Sequence, residues 1–487
     1  MLLSPKNSAL SDLRPVEHVL SEERRGGRFL GVVVPTIYLQ HEGVTEVLET
    51  LEKSGANAVC VHPTVARIVQ PGQGTRFPDL HVDGYRRVLE RPLSGAAEIQ
   101  LLSFSAHDPD ARLYEAGTYS PIRGHAGEKL VRPNAVHEAI DEARARGMAV
   151  HLQASPLTLP GLRHEDAPVG VDGMTDAGPR VAEVACINNP AAQAYGLALV
   201  ADILASYPGL DGVILDWAEY PAYQLHEIFT CFCDHCADEA SSLGIPWDQV
   251  RSDVGRLWER LHSLRTDDLR VMRRTLESPS VLLELLAHAP GILDFLRFKA
   301  VSVSRFYEAV AAAVRSSVQP EVALSARGWA PPWNRASGFD YSKLAETCGV
   351  IAPKLFSFDY TALPRWYGEP LQRWNPALPE AELVETLLSV LDLADTPGRT
   401  QLRDFQIPSP NEPHPMDKGS YQRRIAELID QVGGRAACRP IAHAYGPLVE
   451  WTRTLEVLRD SEVDGIWVQM YGYLGDEKLR VMRDTWR

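Results

Sequence analysis

The chain has 487 residues, 45% hydrophobic and 23% charged, with 49 Lys plus Arg against 64 Asp plus Glu and a formal net charge of −15. That composition belongs to a globular protein with a large core, and the acidic balance, without a basic cluster interleaved with aromatics, argues against nucleic acid or anionic membrane as partners. No stretch approaches the roughly 18 apolar residues of a membrane span, and the start lacks a charged segment leading into a long apolar one, so the expected compartment is the cytoplasm, with the seven cysteines mostly reduced.

Residues 1–27 read as an N-terminal tail, and 28–487 as one catalytic barrel. Eight short apolar, β-branched runs follow one another: Phe29 to Pro35, Asn57 to Pro63, Met148 to Gln153, Gly212 to Asp216, Val322 to Arg327, Lys354 to Asp359, Pro440 to Tyr445 and Gly465 to Tyr471. Near-continuous apolar runs suit strands buried on both faces, as in a parallel sheet. Helical patterns lie between them. Val44 to Ser54 stops at Gly55 and Ala135 to Arg146 stops at Gly147, the helix-then-glycine punctuation expected before a strand. Eight such units predict an α/β fold of the (β/α)8 TIM-barrel class. No Gly-rich dinucleotide fingerprint follows the first run, which argues against the doubly wound alternative. A long loop follows the second run, and a mainly helical insertion, about 237–318, follows the fourth.

Active sites of such barrels lie at the C-terminal ends of the strands, and polar or aromatic residues end these runs. They include His62, His151 near Gln153, Asp216 with Glu219, Arg327 with Trp329, Asp359 with Tyr360, His443 with Tyr445, and Gln469 with Tyr471 and Tyr473. The carboxylates are candidates for acid/base or nucleophilic work. The imidazoles could bond hydroxyls or move protons. Arg327 could hold a carboxylate with its planar fork or pair with Asp359. Trp217, Trp329, Trp333, Trp366 and Tyr367 follow the run ends as well.

The fourth unit carries a second feature. Cys231, Cys233 and Cys236 have a C-x-C-x-x-C spacing, and Cys186 lies on the other side of the strand. Three thiols this close can converge on one tetrahedral zinc, with Cys186 as the fourth ligand; four thiolates leave no open position, so the metal would be structural. His235 is an alternative ligand.

Cys186, Pro190, Tyr195, Asp216, Glu219, Tyr220, Cys231, Cys233 and Cys236, with the later helix from Leu293 to Val310, give residues 180–315 a pattern that resembles the zinc-containing β-galactosidases of glycoside hydrolase family 42. The resemblance implies that Glu219 stands where that family keeps its acid/base. Two positions depart from it. Ala218 replaces an Asn, and the seventh run ends His443-Ala444-Tyr445-Gly446, with no carboxylate where the family has its nucleophile. β-Galactosidase activity is therefore not implied. The expectation is a carbohydrate-active enzyme, a glycoside hydrolase with Glu219 as general acid/base and Asp216 or Asp359 as the second carboxylate. His62, His151, Arg327, Trp329, Tyr360, His443, Tyr445, Gln469 and Tyr471 would line a pocket for a small saccharide or glycoside, and a homo-oligomer is allowed for. The rival readings are a sugar lyase, isomerase or epimerase working by His and carboxylate proton transfer, and a non-catalytic saccharide-binding barrel.

Overall fold

A computed structural model describes residues 28–68, 99–115, 117–121, 134–175, 178, 180–277, 283, 287–393, 398–414 and 418–486. The expected tail, 1–27, and much of the loop after the second run lie outside the described residues. The sheet has ten parallel strand segments. Phe29–Val34, Ala58–Val61, Ala149–Ala154, Gly212–Leu215 and Ala323–Ala326 form the first five staves. The sixth is two pieces, Val350–Ile351 and Lys354–Leu355, and so is the seventh, Ala437–Cys438 and Ile441–His443; Gly465–Gln469 is the eighth. Each stave pairs in parallel with the next, and the eighth pairs back onto the first, Leu30 opposite Ile466. The ring closes, which makes this an α/β barrel of eight staves. The insertion after the fourth stave carries helices Asp234–Ser242, Trp247–Leu261, Thr266–Glu277 and Pro290–Arg315. Among the described residues no helix is long and apolar enough to cross a membrane.

The alternation of side chains divides the staves between two apolar cores. Leu30, Val32 and Val34 face the helices, whereas Phe29, Val33, Cys60, Ile214, Val350, Ile441 and Trp467 fill the inside of the barrel. Two aromatic rings take the space of missing side chains. A Cβ on Gly31 would lie 2.3 Å from the Trp467 ring, and one on Gly212 would lie 2.2 Å from His151 Nδ1. Trp467 packs edge-on against Phe29 and His151, at centroid distances of 5.1 and 4.9 Å. Gly31→Ala should therefore destabilise by about 1–3 kcal/mol, as overpacking of a filled core does. An unchanged urea midpoint would contradict this packing.

Two expectations are corrected here. His151 is not on the rim. It lies opposite Gly212, the first residue of the fourth stave, and is 3% exposed. Burial, then the Arg439 charge, pushes its pKa down to about 3. Side chains two residues apart share a face, so Gln153 sits one layer above it and reaches the mouth. The sixth stave, expected from Lys354 to Asp359, starts at Val350 and ends at Leu355. Helix Ser357–Trp374 begins at once, so Asp359 belongs to a first helical turn rather than a strand end. Its side chain lies outside the described residues.

Candidate active site and metal centre

The fourth stave ends at Leu215, and Asp216 follows, its amide bonded to the Ala154 carbonyl of the third stave at 2.8 Å. Trp217 then takes φ +58°, a left-handed conformation that bulky residues rarely adopt. This turn brings Glu219 back over the barrel, where the Tyr220 amide bonds to the Ser337 carbonyl at 3.0 Å. Lys354 rises from the sixth stave to meet both acids. Its Nζ lies 2.9 Å from Asp216 Oδ1 and 3.5 Å from Glu219 Oε1, over the Trp217 ring at 4.2 Å.

The two carboxyl groups have different surroundings. Asp216 accepts hydrogen bonds from Gln153 Nε2 at 3.1 Å and from the Trp217 amide at 3.1 Å, with Arg327 Nε at 3.6 Å. Burial alone would raise its pKa, but Arg327, Lys354 and the Trp217 amide outweigh that and hold it below the ordinary carboxylate value. Glu219 is 1% exposed, and its carboxyl faces the Ser337 side chain and the Lys354 ammonium. Burial pushes it up to about 7; Lys354 opposes the rise and the Asp216 charge adds to it. One acid is thus ionised and the other can carry a proton near neutrality.

Arg327 spans the mouth from the fifth stave. Nη1 donates to Gln153 Oε1 at 2.5 Å and Nη2 to Gln469 Oε1 at 3.0 Å. Asp216, Glu219, Arg327 and Gln469, together with Gln153 and Lys354, therefore form one polar layer. His62 is half-buried beside it; burial, then Arg327, lowers its pKa to about 4, so its ring is neutral at pH 7. His443 and Tyr445 belong to a separate aromatic group on the same rim, with Phe358 and Tyr473. The remaining candidates have structural contacts. Trp329 is buried against Tyr223, with centroids 4.3 Å apart. The Tyr360 hydroxyl donates to the Lys354 carbonyl at 3.3 Å and its ring lies under Arg424. The Tyr471 hydroxyl donates to Glu42 Oε2 at 2.8 Å.

Lys354 is a side chain of this polar layer that sequence reading did not single out. Its signal is a lysine opening an apolar run, a position where a strand buried on both faces seldom tolerates an unpaired charge.

Behind the fourth stave, Cys186, Cys231, Cys233 and Cys236 turn their sulfurs to one point, all within 4.8 Å of one another. Cys186 Sγ is 3.5 Å from Cys236 Sγ and 3.5 Å from Cys233 Sγ. A tetrahedron with metal–sulfur bonds of about 2.3 Å has edges of about 3.8 Å, so the four sulfurs fit a single metal ion. The Val169 amide points at Cys231 Sγ (3.3 Å) and Asn188 Nδ2 at Cys236 Sγ (3.4 Å), as donors commonly support ligating thiolates. Asn189 donates its backbone amide to the Cys186 carbonyl at 3.0 Å and caps helix Pro190–Ser206 by accepting from the Ala191 and Ala192 amides. His235 does not belong to the cluster.

No family model and no curated protein matches this chain. Among solved structures it is similar to the β-galactosidase of the psychrophilic Marinomonas ef1, at 10% identity over 93% of this chain and 58% of that one, TM-score 0.49. It is similar to the polyextremophilic β-galactosidase of the Antarctic haloarchaeon Halorubrum lacusprofundi, at 12% identity over 94% and 57%, TM-score 0.48. A third is the catalytic domain of the β-amylase of Paenibacillus polymyxa, at 11% identity over 94% and 97%, TM-score 0.48. The chain spans less than two thirds of the length of the two β-galactosidases.

Proposed function

We propose that the chain is a glycoside hydrolase in which Glu219 is the general acid/base and Asp216 the nucleophile. One observation carries this reading: two carboxyl groups share the Lys354 ammonium while their acidities are displaced in opposite directions. Groups pushed apart in this way can divide acid and nucleophile roles at a single pH. Both carboxyl groups lie within reach of the one Lys354 ammonium, close enough to act on the same glycosidic bond. Asp216 would attack the anomeric carbon as Glu219 protonates the departing glycosidic oxygen. Glu219, now a carboxylate balanced by Lys354, would take a proton from the water that releases the sugar from Asp216.

The pH dependence follows from the two shifts. Glu219 must begin protonated, so kcat/KM is full below about 7 and falls as pH rises through that value. Asp216 must be ionised, and its lowered pKa places the acid limb below the ordinary carboxylate range. Rate profiles on a broad panel of aryl glycosides test this. A protein that binds saccharides but cleaves none of the panel would overturn the hydrolase reading in favour of a binding barrel. For the four-cysteine site we propose zinc in a structural role, pinning the loop after the fourth stave to the segment before it.

A further inference from the structure

Resting on the hydrolase reading, we propose that Gln153 is a positioning residue for Asp216: its side-chain amide holds Oδ2 as the oxygen that attacks the anomeric carbon. Gln153 lies on the third stave, opposite Ile214 of the fourth. That stave grips Asp216 at two points. The Ala154 carbonyl accepts the Asp216 amide at 2.8 Å, and Gln153 Nε2 donates to Asp216 Oδ2 at 3.1 Å. A donor carried by a strand of a closed barrel is held more firmly than one on a loop.

The amide can point only one way. Arg327 Nη1 lies 2.5 Å from the other end of the Gln153 side chain. A guanidinium donates and never accepts, so that end is the carbonyl oxygen. The nitrogen is left facing Asp216, an ionised carboxylate that accepts and never donates. The His62 ring adds a hydrogen bond to the Gln153 side chain, and Arg327 is braced from its far side by Gln469 Oε1 at 3.0 Å. Donors on the amide oxygen polarise the group and strengthen the N–H that reaches Oδ2.

The two oxygens of Asp216 are unequally engaged. Oδ1 meets Lys354 Nζ at 2.9 Å, the Trp217 amide at 3.1 Å and Arg327 Nε at 3.6 Å. A carboxylate offers about four lone-pair directions over its two oxygens, so Oδ1 is full. Oδ2 has Gln153 alone among the described residues and keeps a direction open. The oxygens also face different surroundings. Lys354, on the Oδ1 side, is 4% exposed, whereas Gln153 and its neighbour His62 are half-buried and reach solvent. In the first step an Oδ2 lone pair forms the bond to the anomeric carbon, the bond to the departing oxygen breaks, and that oxygen takes the Glu219 proton. Oδ1 becomes the carbonyl of the ester, still under Lys354 and the Trp217 amide. Water then displaces Oδ2 from the carbon and gives a proton to Glu219, and the carboxylate returns to its donors. The other ionisable groups around Asp216 do not replace Gln153. Burial pushes Cys60 up to about 12 and Tyr307 well above its usual value, so both stay protonated, and His62 is neutral.

The test uses the full-length protein carrying Gln153→Met, Gln153→Glu or Gln469→Met. Asp216 is titrated by carboxyl carbon NMR, and cleavage of the aryl glycoside panel is measured alongside. Both Gln153 variants remove a donor that favours the ionised form of Asp216, so its protonation should move to higher pH by about one pH unit, the size of one lost hydrogen bond to a charge. The acid limb of kcat/KM should move with it. The fall in kcat should be about 10–100-fold, as expected of a misplaced reacting group, with KM within about threefold of the parent. Gln153→Glu matches glutamine in shape and decides the matter if Gln153→Met fails to fold. Gln469→Met loosens Arg327 without touching Asp216, and should leave the Asp216 titration where it is. An unmoved titration in the Gln153 variants, an equal shift in Gln469→Met, or an unchanged kcat would overturn the positioning role. Cleavage by the unaltered protein is read separately. If it cleaves none of the panel while the Gln153 variants still shift Asp216, the hydrolase reading and the attack by Oδ2 fail, and Gln153 remains the residue that holds Asp216.

Discussion

Glu219→Gln should lower kcat on an activated aryl glycoside by about 10²–10⁴-fold, the usual contribution of a general acid or base, and leave the melting temperature nearly unchanged. The second half of that expectation is as diagnostic as the first. A buried carboxyl group with its pKa raised to about 7 spends much of its time neutral, and glutamine reproduces that state in shape and charge. Asp216→Asn should behave differently. Asp216 is the ionised partner of Lys354 and Arg327, all three nearly buried, so neutralising it leaves two buried cations uncompensated. Breaking a buried pair in this way costs about 3–5 kcal/mol. Activity and stability should fall together for Asp216→Asn and separate for Glu219→Gln. A Glu219→Gln protein with the parent rate would remove Glu219 from the chemistry. Rapid exchange of a substrate C–H with deuterated water, without hydrolysis, would point instead to proton transfer next to a carbonyl.

The barrel itself is legible in the chain because strands buried on both faces must be apolar along their length; six of the eight runs coincide closely with staves, and the seventh lacks only the short Ala437–Cys438 piece. The sixth misleads for a physical reason. Phe356-Ser357-Phe358 alternates as a strand would, and the helix that actually starts at Ser357 contains Pro364 and Pro370, residues that ordinarily argue against a helix interior. His151 misleads through parity: a residue near the end of a run can still lie a layer below the mouth. The cysteine cluster is legible because three of its members are close in sequence and only Cys186 is remote. The polar layer is not. Gln153, Arg327 and Gln469 come from three staves far apart in the chain, and nothing local records that they meet. The same holds for Lys354, whose role exists only through the two acids that the fourth stave brings to it.

Removing the metal from the four-cysteine site should destabilise the protein and disturb Glu219 along with it. Four thiolates around a divalent ion carry two net negative charges, and without the ion their sulfurs, 3.5 Å apart at the closest, would have to protonate or separate. Structural zinc sites contribute about 10–16 kcal/mol of apparent binding energy in small peptides. Here the barrel core supports the fold independently, so the loss should be local, concentrated in the loop after the fourth stave. That loop is tied to the acid by direct contacts. Tyr220 follows Glu219 in the chain, and Asn188 Nδ2 reaches the Tyr220 hydroxyl at 3.1 Å, Cys236 Sγ at 3.4 Å and Ser302 Oγ at 3.0 Å. Lys299 adds a second tie, its buried Nζ donating to the Ile228 carbonyl at 2.7 Å and the Ala336 carbonyl at 3.1 Å, next to the Ser337 carbonyl that holds the Tyr220 amide. The purified protein should contain about one zinc per chain. Chelation, or Cys231→Ala, should release it, lower the melting temperature by several degrees, and shift the alkaline limb of the rate profile because Glu219 no longer keeps its buried position. A metal-free preparation with four titratable thiols and an unchanged melting curve would rule out the clamp. Destabilisation with an unmoved alkaline limb would retain the clamp but deny its link to the acid.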